Sequence, residues 1–184
     1  MHPMDRRKFV GGGVAIVTLA MPSSTRAELA EIGSSAVGMK LSREELVARL
    51  VRAGEVEVSG APPEEIASYF DTKKFRFHGP GGFETDYHGL QEYFASVRAA
   101  FDDRSIRRGI MVVEGNTVAC QTWIEGRFVR EFTMSPAGPI GPNGQKVTWN
   151  LINLFVFDDN ARLIEEFVQT DYRSFLTQLG AEGK

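Results

Sequence analysis

The chain has 184 residues, 42% of them hydrophobic and 24% charged, with a formal net charge of -3. That composition is globular, fits one domain around one core, and gives no basic surface for nucleic acid or for an anionic membrane. A single cysteine, Cys120, excludes an internal disulfide, and three histidines without an HExxH or a paired-Cys motif argue against a dedicated zinc or iron site while leaving carboxylate-rich sites open; no cofactor is expected.

The first 27 residues read as an address. Arg6-Arg7 precedes Phe9, residues 11–20 are weakly apolar and too short to span a bilayer, and Thr25-Arg26-Ala27 suits signal peptidase. This resembles a twin-arginine signal, cleaved after Ala27, and implies a periplasmic or secreted protein. No cysteine follows the apolar stretch to carry a lipid, so no stable membrane anchor is expected after processing. Residues 28–40, rich in Ser, Gly and Ala, read as a linker, and 41–184 as the working domain.

Ser42 with Glu45 three positions on is a capping-box spacing, and Leu46, Val47, Leu50 and Val51 give the helix it opens an apolar stripe, interrupted at Gly54 and Gly60. Pro62-Pro63-Glu64-Glu65 opens a second helix with Ile66, Tyr69 and Phe70 inward. Phe75 to His78 reads as a short strand, Gly79 to Gly82 as a loop, and Gly89 to Phe101 as a third helix carrying Leu90, Tyr93, Phe94 and Val97.

From there the period is two. Strands are expected over Ile106–Glu114, Thr117–Met134 with a bend at Gly126, Lys146–Phe157 and Leu163–Asp171. Gly115-Asn116 makes the first turn, Ser135–Gly144 a long loop, and Ser174–Leu179 a closing helix. Helices first and an antiparallel meander after them make an α+β fold. On the strand from Lys146, Trp149, Leu151, Asn153 and Phe155 alternate with Ile152, Leu154 and Val156. Both sets are apolar enough to need cover, and a second subunit is the simplest cover.

The order of these pieces resembles the SnoaL-like polyketide cyclase family of the nuclear transport factor 2-like superfamily. Tyr69-Phe70 with Phe77-His78, Gly89-Leu90 through Asp102-Asp103, Val112 to Ala119, Gly126-Arg127-Phe128, Asn143 to Val147, and Phe157-Asp158-Asp159 onward carry the likeness. The resemblance implies a cone: a strongly curved antiparallel sheet closed by N-terminal helices around a pocket for a small apolar or aromatic molecule, without a cofactor. It also locates two departures. Asn153 stands where the cyclases carry an acidic residue, and Ile124 where they usually offer a histidine. Asparagine only donates and accepts hydrogen bonds.

Steroid-isomerase-like relatives keep an aspartate base where this chain has His78, whose imidazole is poised near neutral pH. The alternative is a histidine packed at a strand end. Asp171, assigned to one strand face with Leu163, Glu165, Phe167 and Gln169, either orients a ligand or a base, or else makes an ion pair or a helix cap near the C-terminus. His78, Asn153 and Asp171 are thus the catalytic candidates. Tyr69, Phe77, Tyr93, Ile124, Phe128, Trp149, Leu151 and Phe155 are the candidate pocket wall. His78 and Asn153 are expected to share one cavity. Two functions stay open: a cofactor-independent lyase, isomerase or hydrolase, and a non-catalytic binding or dimeric interaction module of the envelope.

Overall fold

The computed structural model describes residues 41–181, so the signal and linker assignments lie outside the described residues. The elements are α1 (Arg43–Ser59), α2 (Pro63–Ala67), β1 (Arg76–His78), a single 3-10 turn (Pro80–Gly82), β2 (Glu84–Asp86), α3 (Tyr87–Ala100), β3 (Phe101–Glu114), β4 (Thr117–Phe128), β5 (Lys146–Phe157), β6 (Leu163–Thr170) and α4 (Tyr172–Leu179). Six strands form one curved, unclosed sheet in the order β2-β1-β6-β5-β4-β3. The expected α+β fold is present, with one difference: β1 runs parallel to β6, so the sheet is mixed.

The capping box at Ser42 forms in both directions. The helix it opens does not stop at Gly54. It runs on to Ser59 and ends at Gly60, whose φ of 84° suits a residue without a Cβ. A helical glycine costs about 1 kcal/mol relative to alanine, and the reason for it is steric. A Cβ on Gly54 would stand 2.7 Å from a guanidinium nitrogen of Arg108 on β3.

Burial on β4 alternates strictly, with Val118, Cys120, Thr122, Ile124, Gly126 and Phe128 inward. Its partner strand β5 turns Val147, Trp149, Asn153, Phe155 and Phe157 the same way. Helices α1 and α3 lie over this face. One half of the core gathers Leu46, Leu50, Phe70, Phe75, Phe155 and Leu163; the other gathers Phe101, Phe128, Phe132, Trp149 and Phe175. The outer face of β5 is not covered within this chain: Ile152 is 58% exposed and Leu154 39%.

Two long strands are shorter or longer than expected for identifiable reasons. Phe101 already belongs to β3, because Asp103 at φ 51° lets a bulge carry the chain out of α3 without a loop. β4 ends at Phe128, and beyond it only Phe132 bridges, to Ile140 across the Pro/Gly loop.

Irregularities in the ladders decide which side chains point in. Arg108 pairs with Thr122 and Met111 with Cys120, so β3 holds one residue more than β4 in that interval. Both Arg108 and Met111 therefore face the interior. On β6, Glu165 pairs with Val156 but Leu163 with Phe157, which leaves Ile164 as the extra residue. The inward set is consequently Leu163, Glu166 and Val168, and the face expected from strict alternation is broken at Ile164.

Candidate active site

Between the helices and the sheet lies a cavity that leaves about 110 Å³ for water-sized atoms. Leu50 and Ala53 of α1 roof it, Leu90, Tyr93, Phe94 and Val97 of α3 wall one side, and Ile124, Trp149, Leu151 and Phe155 of the sheet form its floor. Phe83, 54% exposed, and Pro80 place the β1–β2 turn at its rim.

Into this apolar space the fold sends three charged side chains from three elements. Glu57 comes from α1, where Leu46, Leu50, Ala53 and Glu57 recur at helical spacing and share the buried face. Arg108 comes from β3, in phase with Ile106, and Glu166 from β6, turned inward by the irregularity at Ile164. Glu57 is 7% exposed and Glu166 9%.

Each group has a partner. Gln91 of α3 donates to Glu57 Oε1 at 2.8 Å, and Asn153 Nδ2 donates to Glu166 Oε1 at 2.8 Å. Arg108 donates from Nη1 to the Thr122 hydroxyl at 2.6 Å and lies 5.1 Å above the Phe155 ring. Two buried atoms in the cluster have no partner among the described residues: Arg108 Nε, a donor, and Asn153 Oδ1, an acceptor.

Burial pushes the Glu57 carboxyl up to about 8, reinforced by repulsion from Glu166, while the Gln91 hydrogen bond and Arg108 oppose the rise. Burial likewise pushes Glu166 up to about 7, against the attraction of Arg108 and the Asn153 hydrogen bond. The two carboxyls therefore hold protons at pH values where ordinary carboxylates have none. Carboxyls raised in this way can take up and release protons near neutral pH. The Tyr93 hydroxyl, buried in the same wall, is raised above the usual phenol range by desolvation.

The sequence candidates divide. Asn153, Phe77, Tyr93, Ile124, Trp149, Leu151 and Phe155 all line the cavity. Tyr69 does not; it packs beside the first core cluster under the Arg49 guanidinium, 4.8 Å away. Phe128 does not either; it is fully buried and stacked on Phe101 at 4.9 Å. Asp171 caps α4, accepting from the Ser174 amide at 3.0 Å.

The expected sharing of one cavity by His78 and Asn153 is corrected by the strand register. Phe77 pairs with Glu166 and His78 with Phe167, so Phe77 takes the inner face and His78 the outer. There His78 stacks on Phe167, with ring centroids 4.4 Å apart, and its Nδ1 lies 3.2 Å from Glu84. Glu57, Arg108 and Glu166 were missed. The helical period carried Glu57 past Gly54, and Ile106 and Arg108 alternate on β3. Nothing in the local pattern marks the extra residue that turns Glu166 inward.

The buried pair has a thermodynamic consequence. Both folded values exceed the ordinary 4.5, so the folded chain binds more protons than the unfolded one above that pH. Stability contributed by these groups is complete below 4.5 and is lost as pH rises through about 7 and about 8. Glu57→Gln keeps an acceptor for Gln91 and removes the charge. Its melting temperature should match wild type near pH ~5 and exceed it near pH ~8.5. Melting curves for the two proteins that stay parallel from acid to alkali would contradict the assignment.

Comparison with known proteins agrees with this architecture. The SnoaL-like polyketide cyclase profile matches residues 56–179. Solved structures with the same fold include TsrD from Streptomyces laurentii, with a TM-score of 0.63 at 20% identity over 77% of this chain and 99% of that one. A candidate SnoaL-like polyketide cyclase from Jannaschia sp. CCS1 gives 0.63 at 18% identity over 80% and 100% of the respective chains. The epoxide hydrolase/cyclase-like enzyme SalBIII, of pyran ring formation in the polyether salinomycin, gives 0.53 at 19% over 72% and 92%. No curated protein matches significantly in sequence. With a match over most of the described domain and the fold to accompany it, the chain belongs to the SnoaL-like polyketide cyclase family.

Proposed function

We propose that the protein is a cofactor-independent acid–base enzyme, a lyase, isomerase or hydrolase, acting on a small apolar or aromatic molecule in the cavity. The observation that carries this reading is the pair of buried carboxyls, Glu57 and Glu166, set around Arg108 in an otherwise apolar space. Glu166, whose charged form is favoured by Arg108 and by the Asn153 hydrogen bond, is the base. Glu57, whose proton is kept by burial and by repulsion from Glu166, is the acid. Arg108 offers its free Nε–H to charge that develops on a substrate oxygen, between largely apolar walls that strengthen the attraction. Abstraction of a proton next to a carbonyl would move it to Glu166 and send the electron pair to the carbonyl oxygen. Glu57 then gives a proton to another atom of the substrate as the electron pair returns from the oxygen to carbon, and exchange with solvent takes the proton from Glu166 and restores the one on Glu57. Ring closure, double-bond shift and ring opening are variants of this two-proton exchange, and the cyclase-like name of SalBIII belongs to the same range.

Exchange of the acidic C–H protons of 2-tetralone in deuterated buffer, followed by NMR, tests it. The rate should rise through pH ~7 as Glu166 ionises and fall beyond ~8 as Glu57 loses its proton. Glu166→Gln should slow it at least about 100-fold. Exchange no faster than buffer alone would leave the cavity a binding site, the second function that the sequence allowed.

We also propose that the protein works as a homodimer joined through the outer sheet face. Val112, Ala119, Leu154 and Phe167 lie directly opposite one another across four adjacent strands. Val112 is 58% exposed and Phe167 38%, with Ile152 beside them. A continuous apolar row of this kind is self-complementary under a two-fold axis and needs cover. Ile152→Arg should convert a dimer to a monomer in light scattering; a monomeric wild type at micromolar concentration refutes the pairing.

Export by the twin-arginine route fits such an enzyme, since that route carries folded chains. Arg6 and Arg7 both replaced by Lys should leave precursor in the cytoplasm, and unchanged export of that variant would remove the proposal.

A further inference from the structure

The two unpartnered atoms in the cavity differ in kind, and one of them is reversible. Arg108 Nε is always a donor. The Asn153 amide has two ends, and the proton on Glu166 decides whether the oxygen end can face that carboxyl. With Glu166 ionised, Asn153 Nδ2 donates to it at 2.8 Å and Oδ1 is left unpaired and buried. With Glu166 protonated, the carboxyl gains an O–H donor beside its remaining acceptor oxygen, and a second arrangement opens. The amide, turned about its terminal torsion, accepts through Oδ1 and leaves an N–H free instead. A buried polar atom without a partner costs about 1–3 kcal/mol, so each state selects the ligand group that completes it.

We propose that Asn153 is a turning seat whose polarity is set by the proton on Glu166, and that the cavity holds an uncharged ring compound through one oxygen: a hydroxyl when Glu166 is ionised, a carbonyl or enolate when it is protonated. The proposal rests on the acid–base reading above and names the substrate class for it, a ring ketone or the corresponding enol or phenol. During proton abstraction the base gains its proton as the substrate oxygen gains negative charge. The seat becomes a second donor beside Arg108 at that moment, an interaction stronger in the transition state than in the ground state.

The other titratable and charged groups around the seat come from each packed element. They are Glu57 on α1, Arg108 on β3, Cys120 directly opposite Asn153 on β4, and the Tyr93 and Tyr172 hydroxyls in the wall. Of these, Glu57 is the carboxyl that also titrates near neutrality, and it is held by Gln91 rather than by Asn153.

Phenol and acetophenone are close in size, and at neutral pH the first is a donor and acceptor, the second an acceptor only. Their binding to the full chain is measured by calorimetry between pH ~6 and ~8.5, below the phenol's own ionisation near ~10. Phenol affinity should rise with pH and acetophenone affinity should fall, each by at least about threefold. Glu166→Gln and Asn153→Leu should each flatten both slopes. Slopes of the same sign in the wild type, or opposed slopes that survive Asn153→Leu, overturn the seat. Absence of binding by either probe at every pH overturns the seat and the cavity reading together. Opposed slopes without tetralone exchange uphold the seat and sink only the acid–base enzyme.

Discussion

Placing two carboxyls and a guanidinium in an apolar cavity is the constraint on which the rest of this structure turns. An isolated ionised carboxylate is too costly to bury, so it is either paired or neutralised by a proton. Glu57 and Glu166 do some of each: Arg108 stabilises their charged forms, and burial with mutual repulsion keeps protons on them. The surrounding chain is fitted to this cluster. Gly54 leaves room for the guanidinium, Thr122 fixes one end of it, and Gln91 and Asn153 each hold a carboxyl oxygen. Residues that lower the stability of α1 and β6 at alkaline pH are the ones that give the cavity its chemistry, the usual location of such local conflict.

Position in the cluster depends on strand phase more than on sequence proximity. A strand that alternates without interruption places every second residue on one face. One added residue therefore reassigns everything beyond it. The interval Arg108–Met111 keeps an arginine and a methionine on the inner face although an odd number separates them. The extra Ile164 exchanges Glu165 for Glu166 as the inward acid and sends Phe167 outward, where it meets His78. The outer apolar row and the inner acid thus have a common origin in the same irregularity.

Much of the fold was readable from local chemistry. The capping box at Ser42, the ends of β5 and the terminal Asp171 cap follow from residue types that satisfy particular backbone groups. The apolar wall on β5 was readable too, because that strand alternates cleanly from Val147 to Phe157. The polar cluster was less so. Glu57 lies in Glu-Val-Glu-Val, which has a strand-like look, and only extension of the Leu46–Leu50 period through Gly54 places it inside. His78 was misplaced with Asn153 because the facing of a three-residue strand is decided by its neighbour. Its parallel pairing with β6 inherits the phase set at Ile164.

Asn153 and Ile124 take on a different meaning once the cavity is seen. Both residues line it, while the ionisable groups stand on other elements: a helix, the edge strand β3 and the strand beside Asn153. A cavity enclosed on several sides can receive an acid from any wall, provided that the side chain reaches and a partner holds it. Asparagine at 153 is then a partner for the acid across the ladder. Phe155 stands directly opposite Glu166, and Asn153 one inward step along, which is the diagonal reach of a side-chain amide. An amide rather than a carboxylate at this position also avoids a third buried negative charge next to Glu57 and Glu166, which one arginine could not balance. The asparagine on β5 and the glutamates on α1 and β6 are therefore one arrangement, in which a neutral side chain at one position accommodates the ionisable ones at the other two.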